Sequence, residues 1–181
     1  MNKINVFTYN YVPWKYFSNW KHNIPQFFRN IKYAWQRATK GYCDQDLWSL
    51  DWYYANMFSA SLKEMAESSY GYPCDFESEE DGMEKWKAIL NEMSLLFHNC
   101  LEDNEAYTNP YDDEYHRALR NCRIETKDEK GRDCVCFEFD NMQEGLREAY
   151  FIEEHRIASQ RNADKDAAFD LLKHWFFNLW D

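Results

Sequence analysis

Three aspartates lie close together in a short aromatic segment, GYCDQDLWSLDWYY, which covers residues 41–54. Asp44, Asp46 and Asp51 could bind a divalent cation such as Mg²⁺, Mn²⁺ or Ca²⁺, because these cations prefer carboxylate oxygens as ligands. Carboxylates among tryptophans and tyrosines could also form a surface for a partner. The spacing of residue types therefore raises two functional interpretations, a metal site and an interaction surface.

The same segment has a structural interpretation, which we favour. Gly41 is a natural end for one helix, so the next helix must begin within a few residues, and its first N–H groups need acceptors. Asp44 or Asp46 can serve as that N-cap. Asp51 would lie one turn further on, where it could pair with Arg37 or Lys40 of the preceding helix. We therefore expect a corner between two helices, with no catalytic or metal-binding role for its carboxylates.

The remaining sequence has few residues at catalytic spacing. The five glycines are at least 11 residues apart, which excludes the usual glycine-rich phosphate loops. Neither a G-x-S-x-G elbow nor an H-E-x-x-H zinc motif is present. His116 follows Asp113 by three residues, but this is only half of the motif that di-iron bundle proteins use. We predict that the protein is not an enzyme, and that it uses no metal and no cofactor.

The six cysteines do not form a disulfide framework or a zinc motif. Only Cys134 and Cys136 are close, as C-x-C, and no C-x-x-C or Cys/His cluster accompanies them. Reduced thiols are typical of cytosolic proteins. The sequence contains neither a secretory signal nor an apolar run long enough to span a membrane, so we expect a cytoplasmic protein without a membrane partner.

Charge is distributed unevenly along the chain, whose formal net charge is −11. Residues 1–41 contain seven Lys or Arg and no acid, whereas the rest contains 14 Lys or Arg and 32 Asp or Glu. Acids are densest in residues 75–114, where 13 acids accompany two lysines. Such a surface suits a basic partner. The carboxylates that we predict to contact that partner are Asp75, Glu77, Glu79, Glu80, Asp81, Glu84, Glu102, Asp103, Glu105, Asp112 and Asp113.

Apolar residues recur at helical spacing along most of the chain. Pro25 is predicted to open the first helix, because a proline is tolerated where the N–H is unpaired. In residues 122–139 apolar side chains recur at every second residue, as in a β-strand, which predicts a β-hairpin with Gly131 in its turn. We predict a mainly α fold, a helical bundle of four to five helices with a small β-hairpin insertion at about 122–139.

The N-terminal segment, residues 1–24, is predicted to be either an arm or a strand that joins the hairpin, because INVFTY has the composition of a strand. A two-stranded hairpin is marginal in water, so it needs such a partner or a helix to pack on. We expect the whole chain, residues 1–181, to form a single domain, since its length is typical of one.

Residues 24–73, IPQFFRNIKYAWQRATKGYCDQDLWSLDWYYANMFSASLKEMAESSYGYP, resemble a group of small bacteriophage-encoded proteins. The shared features are a helix that ends R-x-x-x-G-Y, a D-x-D-x-W-x-L-D corner, a second helix and a G-Y-P stop. The closing segment AFDLLKHWFFNLWD, with its terminal L-W-D, is also similar. The resemblance implies a phage origin and a helical fold, and it implies no catalytic residue.

Together these features predict a phage accessory protein in the host cytoplasm. We expect a non-enzymatic, acidic inhibitor or modulator of a host nucleic-acid-handling defence protein, in the manner of an anti-CRISPR protein. Two alternatives remain open. One is a nucleic-acid-binding phage protein that uses the basic and aromatic N-terminal segment, although the net negative charge opposes it. The other is a structural protein that self-associates, for example as a homodimer.

Overall fold

The structure, a computed structural model, describes residues 20–76, 81–101, 106–139 and 143–180, with the backbone alone for residues 20–26. These residues are mainly helical and include one small antiparallel hairpin, which confirms the predicted fold class. The helices are α1 (Trp20–Lys40), α2 (Leu50–Ser68), α3 (Gly82–Asn99), α4 (Asp112–Asn121) and α5 (Leu146–Trp175), and the strands are β1 (Arg123–Lys127) and β2 (Asp133–Phe137). Short 3₁₀ segments cover Asp46–Ser49, Cys74–Phe76 and Phe176–Asn178.

The chain divides into two compact units, which are described separately below. Unit 1 comprises residues 1–101 and 165–181, and unit 2 comprises residues 102–164. The single-domain organisation stays a prediction. None of the helices in the described ranges combines the length and the hydrophobicity that a membrane-spanning segment requires.

The core of unit 1 is formed by α2, α3 and the last turns of α5. Phe97 of α3 lies at its centre, with its ring 5.0 Å from that of Phe58 on α2 and 5.4 Å from that of Phe169 on α5. The Ser94 hydroxyl donates a hydrogen bond of 2.7 Å to the carbonyl of Ser59, which joins α3 to α2 directly. The buried residues of this core are Leu62, Ala66, Trp86, Leu90, Met93, Phe97, Ala168, Leu172 and Trp175.

Gly82 allows α3 to begin tightly against the preceding turn. A Cβ at this position would lie 2.8 Å from the Tyr72 ring, 3.0 Å from the Cβ of Phe76 and 3.1 Å from its carbonyl oxygen. Because two of these atoms are fixed to the backbone of Phe76, the Gly82→Ala variant should lose about 1–3 kcal/mol of unfolding free energy. Urea denaturation followed by circular dichroism measures this loss.

Gly71→Ala is the matched control for Gly82→Ala, since a Cβ at Gly71 would meet no atom within 4 Å. The free energy of unfolding of this control should lie within about 0.5 kcal/mol of that of the original chain. Equal urea midpoints for the two variants would contradict the close approach at Gly82.

Unit 2 contains α4, the hairpin and the first turns of α5. Tyr115 of α4 stacks on Tyr150 of α5, with ring centroids 3.9 Å apart. The Asn109 amide donates hydrogen bonds to the carbonyl of Tyr150 (3.1 Å) and to the carboxylate of Glu154 (2.8 Å). These contacts bind the segment before α4 to α5.

The structure confirms the β-hairpin that was predicted from the alternation of apolar residues. β1 and β2 are antiparallel, with Arg123 opposite Phe137 and Lys127 opposite Asp133. Gly131 in the turn has φ of 75°, the left-handed conformation that favours glycine. Among the described residues the sheet has two strands; INVFTY, the predicted third strand, lies outside them.

The first helix differs from its prediction. α1 begins at Trp20, five residues before Pro25, so residues 20–24 are helical and are not part of an arm or strand. Pro25 lacks the N–H that would bond one turn back, and the helix continues through it with one hydrogen bond fewer. The remaining part of the predicted arm, residues 1–19, lies outside the described residues.

Candidate functional site

The aspartates of residues 41–54 lie at the corner between α1 and α2, where Asp46 is paired with Arg37. The Arg37 Nε donates a hydrogen bond of 2.9 Å to Asp46 Oδ2, and Nη2 donates a second one to Oδ1. The backbone N–H of Cys43 adds a third bond to Oδ2, at 2.8 Å. The side chains of Arg37 and Asp46 are only 13% and 4% exposed. The pair is therefore a bidentate ion pair largely removed from solvent.

Both members of this pair are charged at neutral pH. Burial opposes ionisation of Asp46, but the hydrogen bonds from Arg37 and Cys43 outweigh it and lower the pKa of the carboxyl below its usual value. The hydrogen bond to Asp46 raises the pKa of Arg37, although burial acts in the opposite direction. The Asp46 carboxylate thus accepts bonds within the fold, and it is not available to a substrate or an ion.

Asp44 is held by a second, exposed set of contacts. Lys32 of α1 lies 2.7 Å from Asp44 Oδ2, and the Gln36 amide donates a bond of 2.9 Å to Oδ1. The side-chain oxygen of Gln36, Oε1, in turn accepts a hydrogen bond of 3.1 Å from the backbone N–H of Asp44. The hydrogen bonds from Lys32 and then Gln36 lower the pKa of the Asp44 carboxyl.

The capping roles predicted for the aspartates are wrong. Gln45 precedes the 3₁₀ segment and Ser49 precedes α2, and neither start has a side-chain cap. Asp46 lies inside the 3₁₀ segment and not at its N-cap position, and its carboxylate accepts from Arg37 and from the N–H of Cys43. Asp51, predicted to meet Arg37 or Lys40, lies exposed in the first turn of α2.

Two further contacts complete the corner. The Tyr53 hydroxyl donates a hydrogen bond to the carbonyl of Gly41, and the Arg37 guanidinium lies 5.8 Å from the centre of the Tyr53 ring. Gly41 has φ of 82°, as expected for a helix end of this kind. Within the described ranges, no three His, Cys, Asp or Glu side chains group as metal ligands would. The contacts of Asp44, Asp46 and Tyr53 with α1 and Gly41 thus account for this segment as a corner between two helices.

Of the predicted partner-contacting acids, three described residues belong to unit 1. Asp75 lies in the 3₁₀ turn before α3, Asp81 directly precedes α3, and Glu84 lies in its first turn. All three are exposed. The Asp81 carboxylate pairs with Lys85 at 3.2 Å. These acids lie within ten residues of one another, around the start of one helix.

Two other predicted acids, Asp112 and Asp113, lie in the first turn of α4 in unit 2, where both are exposed. The Asp112 carboxylate lies 3.2 Å from the imidazole of His116. Acids in a first turn complement the helix dipole, so these residues have a structural role as well. The remaining members of the predicted set lie outside the described residues: Glu77, Glu79, Glu80, Glu102, Asp103 and Glu105.

An apolar surface on α1 was not anticipated. We call it the α1 stripe, and it consists of Phe27, Phe28, Ile31 and Trp35 on one face of the helix. An apolar face of this kind usually packs against a core, but here the side chains are largely exposed. The exposed fractions are 61% for Phe27, 64% for Phe28, 48% for Ile31 and 70% for Trp35. Exposed aromatic side chains in such number are typical of interaction sites.

Comparisons with known proteins do not assign this chain. A scan against protein-family models, a search of curated proteins and a search of solved structures each found no match. The resemblance to phage proteins therefore stays a prediction, and the function has to be argued from the residues themselves.

Proposed function

We propose that this chain is a non-enzymatic binding protein that covers a basic, phosphate-binding groove on a protein that handles nucleic acid. The net charge of −11 supports a basic partner. The observation that carries the proposal is a contrast between two groups of acids. Asp44 and Asp46 are paired with Lys32 and Arg37 of α1, whereas Asp75 and Glu84 have no cationic partner among the described residues and remain exposed.

The α1 stripe supports the proposal from another direction. A purely electrostatic contact is weak in physiological salt, because exposed charges are screened over about 8 Å. Large aromatic side chains supply the apolar anchors that dominate binding free energy. Trp35, which is 70% exposed, is the best candidate for such an anchor.

The nucleic-acid-binding alternative receives less support from the structure. It depends on cations of the N-terminal segment meeting phosphates. Lys32 lies 2.7 Å from Asp44, and Arg37 is bound to Asp46, so these two cations are already neutralised. A protein partner therefore accounts for the surface better than a nucleic-acid strand does.

The resemblance to phage proteins suggests the class of partner. A phage-encoded acidic protein in the host cytoplasm would meet host defence nucleases, including CRISPR effectors, whose grooves bind phosphates. By occupying such a groove, the exposed carboxylates would compete with nucleic acid. We propose this class of host protein as the target.

A capture experiment tests the proposal. The immobilised chain should retain a basic protein from lysate of a bacterial host and release it at about 0.5 M salt, because screening shortens the range of the contact. The retained protein should shift labelled DNA or RNA in a gel, and added chain should abolish that shift. Retention of no basic protein, or a retained protein that still shifts nucleic acid, would contradict the proposal.

Two double variants locate the contact. Asp75→Asn with Glu84→Gln should weaken capture about tenfold or more, since rim charges govern steering and complementarity. Glu64→Gln with Asp170→Asn removes the same charge from exposed positions elsewhere in unit 1, and this control variant should capture the partner normally.

A Trp35→Ser variant tests whether the α1 stripe joins copies of the chain. If light scattering shows a changed oligomeric state while capture of the partner is unchanged, the α1 stripe is a site of self-association.

A further inference from the structure

Two free thiols lie on one face of the hairpin in unit 2. Cys134 and Cys136 are two residues apart on β2, so their side chains point to the same side of the strand. Cys134 is opposite Thr126, and Cys136 is opposite Ile124. Cys136 is exposed and Cys134 is partly exposed, so reagents in solution can reach the pair.

Cys134 and Cys136 are successive residues on this face of β2, so no other side chain lies between them along the strand. The face therefore presents the two thiols as a pair.

The strand geometry opposes a disulfide between them. A strand rises about 3.3 Å per residue, so residues two apart have Cα atoms, and parallel Cβ atoms, about 6.6 Å apart. A disulfide requires Cβ atoms about 3.5–4.5 Å apart. A direct S–S bond would distort β2, whereas one atom placed between the two sulfurs would bridge the longer gap.

We propose that Cys134 and Cys136 form a dithiolate site for a single soft metal ion of low coordination number, with Cu(I) as the representative. Soft thiolate ligands favour Cu(I), Zn²⁺ and iron–sulfur clusters, and of these Cu(I) is the ion that two ligands can satisfy. Both thiols release their protons to solvent and the two thiolates coordinate one Cu(I), so the step needs no oxidant or reductant.

The surroundings of the pair disfavour the commonest alternative metal. Zn²⁺ in a structural site takes four protein ligands, and in a catalytic site three. Across the part of the chain that the structure describes, no group of three or more His, Cys, Asp or Glu side chains is placed so that it could hold a metal ion. Two thiolates alone therefore suit a two-coordinate ion.

Anaerobic titration of the full chain with Cu(I), in competition with a chromogenic Cu(I) chelator, tests the site. The chain should bind one Cu(I), and copper X-ray absorption should show two sulfur ligands. Cys134→Ser and Cys136→Ser should each weaken this binding about tenfold or more, because one of two thiolates is lost. Circular dichroism checks that each variant is folded.

Cys74→Ser is the matched control, since Cys74 is an exposed cysteine outside the hairpin. It should bind Cu(I) like the original chain. Three results would each overturn the proposal: equal affinity in all three variants, a Zn²⁺ site lost in Cys136→Ser, or a Cys134–Cys136 disulfide formed readily by mild oxidation of the folded chain.

Discussion

Replacement of Asp46 by alanine is expected to lower the free energy of unfolding by about 3–5 kcal/mol, because it leaves the Arg37 guanidinium buried without its counter-charge. The Arg37 side chain is only 13% exposed, and both oxygens of Asp46 accept its hydrogen bonds. The variant also removes the acceptor of the Cys43 N–H. Urea denaturation at neutral pH, followed by circular dichroism, measures the loss.

Asp44→Ala is the control at the same corner. Asp44 also pairs with a cation of α1, but the side chains of Lys32 and Asp44 are 59% and 52% exposed. Exposed pairs contribute about 0–1 kcal/mol, so Asp44→Ala should have a small effect. The account of the corner fails if Asp44→Ala destabilises the chain as much as Asp46→Ala does.

The dependence of stability on pH provides a second readout of the same pair. The pKa of Asp46 is lower in the folded chain than the ordinary aspartate value of 3.8, because Arg37 and the Cys43 N–H hydrogen-bond to the carboxylate and outweigh its burial. A carboxyl group whose pKa is lowered by folding contributes its full stabilisation at pH values above its pKa in the unfolded chain. This stabilisation is lost as the pH falls through the pKa of the same group in the folded chain. The stability difference between the original chain and Asp46→Asn should therefore be largest at neutral pH and should shrink below about pH 4.

Phe97→Ala is expected to lower the free energy of unfolding of the chain by about 3–5 kcal/mol, through lost burial and a residual cavity. Phe97 is 2% exposed, and its ring contacts Phe58 of α2 and Phe169 of α5. The substitution therefore removes contacts between three helical segments of unit 1 at once. Urea denaturation followed by tryptophan fluorescence and circular dichroism reports the change.

Leu95→Ala on the same helix separates packing from helix propensity. Leu95 is 58% exposed, and alanine is the better helix former. The free energy of unfolding of Leu95→Ala should therefore stay within about 0.5 kcal/mol of that of the original chain. If Leu95→Ala and Phe97→Ala unfold at the same urea concentration, α3 does not bury the face that the structure assigns to it.

The helices and the hairpin were predictable because each is encoded locally. The 3.6-residue period marks α2 and α3, and the alternation in residues 134–139 marks β2. Gly41 and Gly131 were expected at a helix end and a turn, and both have positive φ. The start of α1 was less predictable, since a proline indicates a helix boundary without fixing one.

The partner of Arg37 was not predictable from spacing. Asp44, Asp46 and Asp51 all lie within reach of α1 along the chain. The choice depends on the turn that returns residue 46 towards Cys43, whose carbonyl accepts the Asp46 N–H at 3.0 Å. That turn has no strong sequence signal, because neither glycine nor proline occurs between residues 42 and 49.

The exposure of the α1 stripe was not predictable for a different reason. Periodicity shows that one face of a helix is apolar, but it does not show what covers that face. Phe28, Ile31 and Trp35 have the same spacing as Leu90, Met93 and Phe97, yet the first set is exposed and the second is buried. The positions of Glu84, Asp112 and Asp113 in first turns agree with a general rule, since carboxylates are favoured at helix N-termini.

The Arg37–Asp46 pair also constrains how this corner can evolve. Loss of either residue alone leaves a buried group without its counterpart, so lineages that drift through single substitutions there pass through an unstable intermediate. Substitutions at positions 37 and 46 should therefore accumulate as coupled changes, for example to two apolar residues of similar volume. Positions 32 and 44, whose side chains remain in solvent, can diverge independently of each other.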